Sequence, residues 1–211
     1  MGRVPATATL TVQRHDLSLA LLPGVTGRLD VFAERREEVL AALRPALEAV
    51  LVPGGTVTVV APALQTRTTT GAQPDLGASG YLAGPAVPAS PALAALGAIS
   101  DEPALHVTAS AAVALLRLAG WTREITTHEI GAEAGVSAQT VTGGSAPTAP
   151  TASSDLAPIT HPALVGPHLV VFACARPDGV LPVGAPAALA LAEERTHALY
   201  HEVLRELAGV S

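Results

Sequence analysis

The 211-residue chain contains no lysine: its 12 basic residues are all arginine, a usage that accompanies high-GC coding. Without lysine there is no Walker lysine, and Gly54-Gly55 and Gly143-Gly144 fit neither glycine-rich phosphate pattern, so P-loop nucleotide chemistry is excluded. Aromatic residues are equally scarce, with one Trp, two Tyr and two Phe. The core must then come from Ala, Val and Leu, and a base-stacking platform for single-stranded nucleic acid is not expected. One cysteine, Cys174, cannot form an internal disulfide, which suits a reducing compartment. The formal charge of -6 and pI near 5.6 provide no basic face for a phosphate backbone or an anionic membrane. The start of the chain lacks a signal-peptide core, and Leu17 to Leu22 is too short to span a bilayer. These absences point to a cytoplasmic protein with no nucleic-acid and no membrane partner. G-x-S-x-G, H-E-x-x-H and C-x-x-C motifs are absent as well.

What is present is aliphatic. Hydrophobic residues make up 49% of the chain and mean hydropathy is +0.41, enough to build a sizeable core in one domain over residues 1–211. Thr7 to Val12 alternates with the period of a strand, and His15-Asp16 would follow its end; Leu17 to Leu22 extends it or forms a second strand. Asp30 can cap a helix from Val31, with Phe32, Val39, Leu40, Leu43 and Leu47 at helical spacing and Pro45 kinking or breaking it. Thr56 to Ala61 is a β-branched run suited to a buried parallel strand. Residues 62–100 form a loop-rich segment carrying Thr66, Arg67 and Thr68-Thr69-Thr70. Thr108 or Ser110 can cap a helix through Leu118 that Gly120 stops, followed by a strand over Glu124 to Ile130. Residues 143–160 read as a mobile loop, Leu169 to Ala173 as a buried strand, and Pro186 to Leu207 as the last helix with Gly209 just past its end. The alternation predicts an α/β fold, a three-layer sandwich with a mostly parallel central sheet.

In such sheets ligands collect beyond the C-terminal strand ends. His15, His128 and Glu129 are therefore the candidate catalytic residues, and Thr66 and Arg67 the candidate substrate-binding residues. His128 and Glu129 are adjacent in a strand, so they face opposite ways and only one can point into a given site. His161 and His168 suit turn or capping roles. Cys174, followed by Arg176, could be an activated thiol but reads better as a buried structural cysteine. His197 and His201 lie one helical turn apart, with Glu194 three residues before His197, which is geometrically able to ligate a metal. The apolar stripe of Ala192, Leu199, Val203 and Leu207 lies on another side of that helix, however, so the pair reads as a solvated face.

The order of segments resembles the class III extradiol ring-cleavage dioxygenase superfamily. The similarity is carried by Leu21-Leu22-Pro23-Gly24-Val25-Thr26-Gly27, by TVTVVAPA with the loop after it, by VTASAAVALLRLAGW leading to THEIGAEAG, and by LVVFACA with the terminal helix. These pieces touch most of residues 7–207 and are patterns of small and aliphatic side chains. The resemblance implies a small-metabolite site at the strand ends and, in catechol-cleaving members, Fe(II) held by two histidines and a glutamate. Here His15 lies near the first histidine position, with Leu17 or Ser18 closer to it when Leu21-Leu22-Pro23 is aligned. No histidine occurs between Pro62 and Gln73. The expected entry for metal and cofactor is therefore none, Fe(II) included, and the expected partner is a small-molecule ligand, with a homo-oligomer left open. The alternative reading is a non-catalytic accessory or scaffolding protein.

Overall fold

The computed structural model describes residues 9–23, 32–72, 74, 105–132, 166–174 and 187–209. Five strands form one sheet: β1 (Leu10–Asp16), β2 (Thr56–Pro62), β3 (Arg67–Thr70), β4 (Ile125–Ile130) and β5 (His168–Cys174), in the order β1-β5-β2-β4-β3. All neighbours are parallel except β3, which runs antiparallel to β4. Three helices, α1 (Ala33–Val50), α2 (Val107–Leu118) and α3 (Ala187–Gly209), cover the two faces. Valines in successive strands alternate between these faces. Val57, Val59, Ile125, Leu169 and Val171 join the core under α1 and α2, while Val60, Ile130, Val170 and Phe172 join Leu199 and Val203 of α3. The molecule is thus a three-layer α/β sandwich with a mostly parallel sheet. Strands buried on both sides explain why TVTVVA and LVVFA are unbroken apolar or β-branched runs.

Several local expectations are corrected. The first strand lies later than Thr7 to Val12, because its parallel register with β5 continues through His15 opposite Ala173 to Asp16 opposite Cys174. An edge position tolerates the polar Gln13 and Arg14 there. Leu17 to Leu22 is not a strand: the Ser18 amide donates to Asp16 Oδ1 and a 3₁₀ turn over Leu19–Leu21 follows, seating Leu17, Leu21 and Leu22 in the core. Asp30 and Val31 lie outside the described residues, and Phe32 is exposed just before α1. Pro45 does not break α1. Pro45 and Ala41, whose carbonyl loses its amide partner, both face solvent, where water can serve that oxygen.

The Thr68-Thr69-Thr70 run, within the segment read as loop, is the edge strand β3, for which β-branched residues are well suited. The rest of the 62–100 segment beyond 72, other than residue 74, lies outside the described residues, as does 143–160. Helix α2 is capped by neither Thr108 nor Ser110, which lie inside it; His106 is the N-cap. Gly120 does stop that helix, with φ of 105°, a conformation that favours glycine. Gly209 is the last residue of α3 rather than the first beyond it.

Candidate functional site

The C-terminal half of β4 carries the densest polar cluster. Ile125, Thr127 and Glu129 share the α1/α2 face, and the Glu129 side chain is 0% exposed. Its two carboxylate oxygens are held by different elements. The backbone amide of His106, at the start of α2, donates to Oε1 at 2.6 Å, and Arg67 Nε of β3 donates to Oε2. A carboxylate at a helix N-terminus meets orphan amides and the positive end of the helix dipole. Arg67 supplies the opposite full charge from the neighbouring strand, opposite Glu129 in the antiparallel register. The Arg67 side chain is 30% exposed, so this cation is reached from solvent while its partner carboxylate is sealed.

The segment between β2 and β3 crosses over the end of β4 at close range. The Gly131 amide donates to Thr66 Oγ1 at 2.9 Å, and the Ala63 amide donates to the Ile130 carbonyl at 2.8 Å. A Cβ on Gly131 would stand 2.7 Å from the Thr66 nitrogen and 2.8 Å from Gln65 backbone atoms, so only glycine permits this crossing. Arg195 of α3 donates to the Gly131 carbonyl, tying the opposite helical layer to the same strand end. Thr66, Arg67 and Glu129 are therefore brought together.

His128 and His15 are placed elsewhere. His128 is buried on the α3 face, where Nδ1 lies 2.7 Å from Thr68 Oγ1, a cross-strand partner. His128 and Glu129 thus occupy opposite faces of β4. His15 is half-buried in β1 with Nε2 3.0 Å from Gln13 Oε1. Its pKa is lowered by burial and further by Arg35. Continuing the parallel registers by one residue puts His15, Ala173, Ala61 and Glu129 in a single row across the sheet. Three strand spacings then separate His15 from Glu129, roughly 14 Å. The alanines between them are packed in the core with Leu17, Leu21, Leu22 and Ala109.

One residue of the cluster was not singled out by sequence reasoning. His106 joins it by supplying the amide that holds Glu129, and its ring is close enough for Glu129 to raise its pKa and Arg67 to lower it. Burial is the largest influence and the net shift is downward. His106 Nδ1 is buried without a hydrogen-bond partner among the described residues. The only signal in the sequence was a polar residue immediately before a helical pattern, which Thr108 and Ser110 supplied equally well.

The remaining candidates have structural settings. His168 begins β5, at the N-terminal end of the parallel strands, with Nδ1 2.5 Å from Thr56 Oγ1 of β2. Burial lowers its pKa. Cys174 is buried and donates to the His15 carbonyl at 3.2 Å. His161 lies outside the described residues.

The iron site implied by the resemblance does not fit the described residues. No group of three or more His, Cys, Asp or Glu among them is arranged to hold a metal ion. The crossing segment after β2 offers no imidazole, and both Glu129 oxygens are engaged. Among the described residues, no helix is long and apolar enough to cross a membrane. No protein-family profile, no curated protein and no solved structure matches the chain.

Proposed function

We propose that this protein is a divergent relative of the class III extradiol dioxygenase scaffold that binds a small anionic metabolite over the C-terminal ends of β2 and β4. The observation that carries the reading is the Arg67–Glu129 pair, a buried carboxylate holding a solvent-reachable guanidinium at a strand end. A charge cluster sealed from water costs folding energy, and such clusters concentrate where a ligand is handled. Glu129 fixes the Arg67 side chain through Nε, which pre-orients a planar cation suited to a carboxylate or phosphate oxygen pair. Thr66 and the His106 ring are the neighbouring polar groups, and the partnerless Nδ1 of His106 supports a polar atom being received there.

The commitment of both Glu129 oxygens favours binding over ring cleavage, since a carboxylate already holding two donors is poorly placed to ligate iron or take a proton. The second reading, a non-catalytic accessory protein that uses the same site to sense a metabolite, rests on that observation. Titration of the purified protein with benzoate and malonate, followed by amide NMR shifts, tests the proposal. Saturable shifts at Thr66, Arg67, His106 and Gly131 are expected. Shifts confined to other regions, or none with either probe, would contradict it.

A further inference from the structure

The outer side of α3 carries a pair of imidazoles whose geometry has no part in the site above. His197 and His201 are both exposed, one turn apart, and their Nε2 atoms stand 3.2 Å from each other. Two imidazole nitrogens that share a tetrahedral ion at about 2.0–2.1 Å each stand roughly 3.3 Å apart. We infer that His197 and His201 form a surface chelate for a divalent late-transition cation, with water completing the coordination sphere.

The pair is held in place by a run of rings leading out from the sheet. Phe172 of β5 meets Tyr200 edge-on at 5.3 Å between centroids, and Tyr200 meets His201 at 5.3 Å in the same manner. His201 in turn meets His197 at 4.4 Å. The His201 ring is therefore braced against the core, so less side-chain freedom is lost when an ion binds. Neutral imidazole is the form that ligates, and desolvation, Arg14 and His201, in that order, lower the pKa of His197. Glu194, also exposed, is three residues before His197 on the same helical side and contributes a negative charge. Arg14 acts the other way: its guanidinium lies over Tyr200 at 6.0 Å and repels a dication. Imidazole donors and the Irving–Williams order make Cu²⁺ the tighter and Zn²⁺ the weaker occupant.

The test uses the full chain, titrated calorimetrically with Zn²⁺ and Cu²⁺ beside His197→Ala, His201→Ala, the double variant and Arg14→Gln. One equivalent of either ion is expected to bind, Cu²⁺ more tightly. Each single alanine variant should weaken binding at least tenfold, and Arg14→Gln should tighten it. The electron paramagnetic spectrum of the Cu²⁺ form should show two coupled nitrogens. Circular dichroism should match wild type, since both side chains are exposed. Equal binding by wild type and the double variant, or a Cu²⁺ spectrum with one coupled nitrogen, would overturn the inference.

Discussion

Arg67 and Glu129 are partners of unequal situation, and the inequality predicts how each tolerates replacement. Glu129 is 0% exposed, whereas the Arg67 side chain is 30% exposed. Removing Arg67 strands a charge in the interior; removing Glu129 leaves a charge that can turn to water. Arg67→Gln should therefore cost about 3 kcal/mol of stability and Glu129→Gln about half of that. Urea unfolding of the two variants measures the difference, and a larger loss for Glu129→Gln would contradict it. At this scale the sequence was partly legible. Glu129 could be located from the end of a β-branched run, and Thr66 and Arg67 from the loop after a strand. Their convergence with His106 could not, because it depends on β3 pairing with β4 and on α2 starting beside the end of β4.

Elements were legible where burial was continuous and illegible where it was not. TVTVVA and LVVFA lie in central strands buried on both faces, so composition alone marks them. The edge strands β1 and β3 mix polar and exposed residues, so the first was displaced in the sequence reading and the second was read as loop. Pro45 shows the same dependence on context. A helix-breaking residue survives inside α1 because it sits on the solvent side while Leu43, Ala46 and Leu47 hold the helix to the sheet. Pro45→Ala should restore an amide donor to Ala41 and stabilise the protein by about 2 kcal/mol, less whatever entropy the unfolded chain regains. Differential scanning calorimetry reads this as a raised Tm. A lowered Tm would mean that the proline's fixed φ outweighs the missing bond.

Across the whole molecule, histidines at both ends of the sheet couple folding to pH. His15, His106 and His168 all have pKa values below the ordinary 6.5, with burial the largest cause in each. The unfolded chain therefore takes up protons that the folded chain refuses. Their contribution to stability is complete above pH 6.5 and is lost as pH falls through that value toward the folded pKa values. Denaturant unfolding at pH 7.5 and 5.5 should show lower stability in acid, and His168→Gln should flatten the dependence; an unchanged slope in that variant would contradict the assignment. The layered α/β architecture itself was legible from the alternation of strand-like and helical runs. The antiparallel return of β3 was not, since it requires Gly131 to admit backbone at 2.7 Å, a tertiary contact with no periodic signature.

The central claim is that Arg67, oriented by Glu129, receives an anionic small molecule. It is tested most directly by benzoate and malonate titration of wild type, Arg67→Lys and the Arg67→Gln/Glu129→Gln double variant. The lysine variant keeps the charge without the planar fork, and the double variant removes both charges so that neither is left buried alone. The account predicts saturable amide shifts at Thr66, Arg67, His106 and Gly131 in wild type with at least one probe, weaker binding in Arg67→Lys, and none in the folded double variant. Binding of equal strength in all three proteins would contradict it.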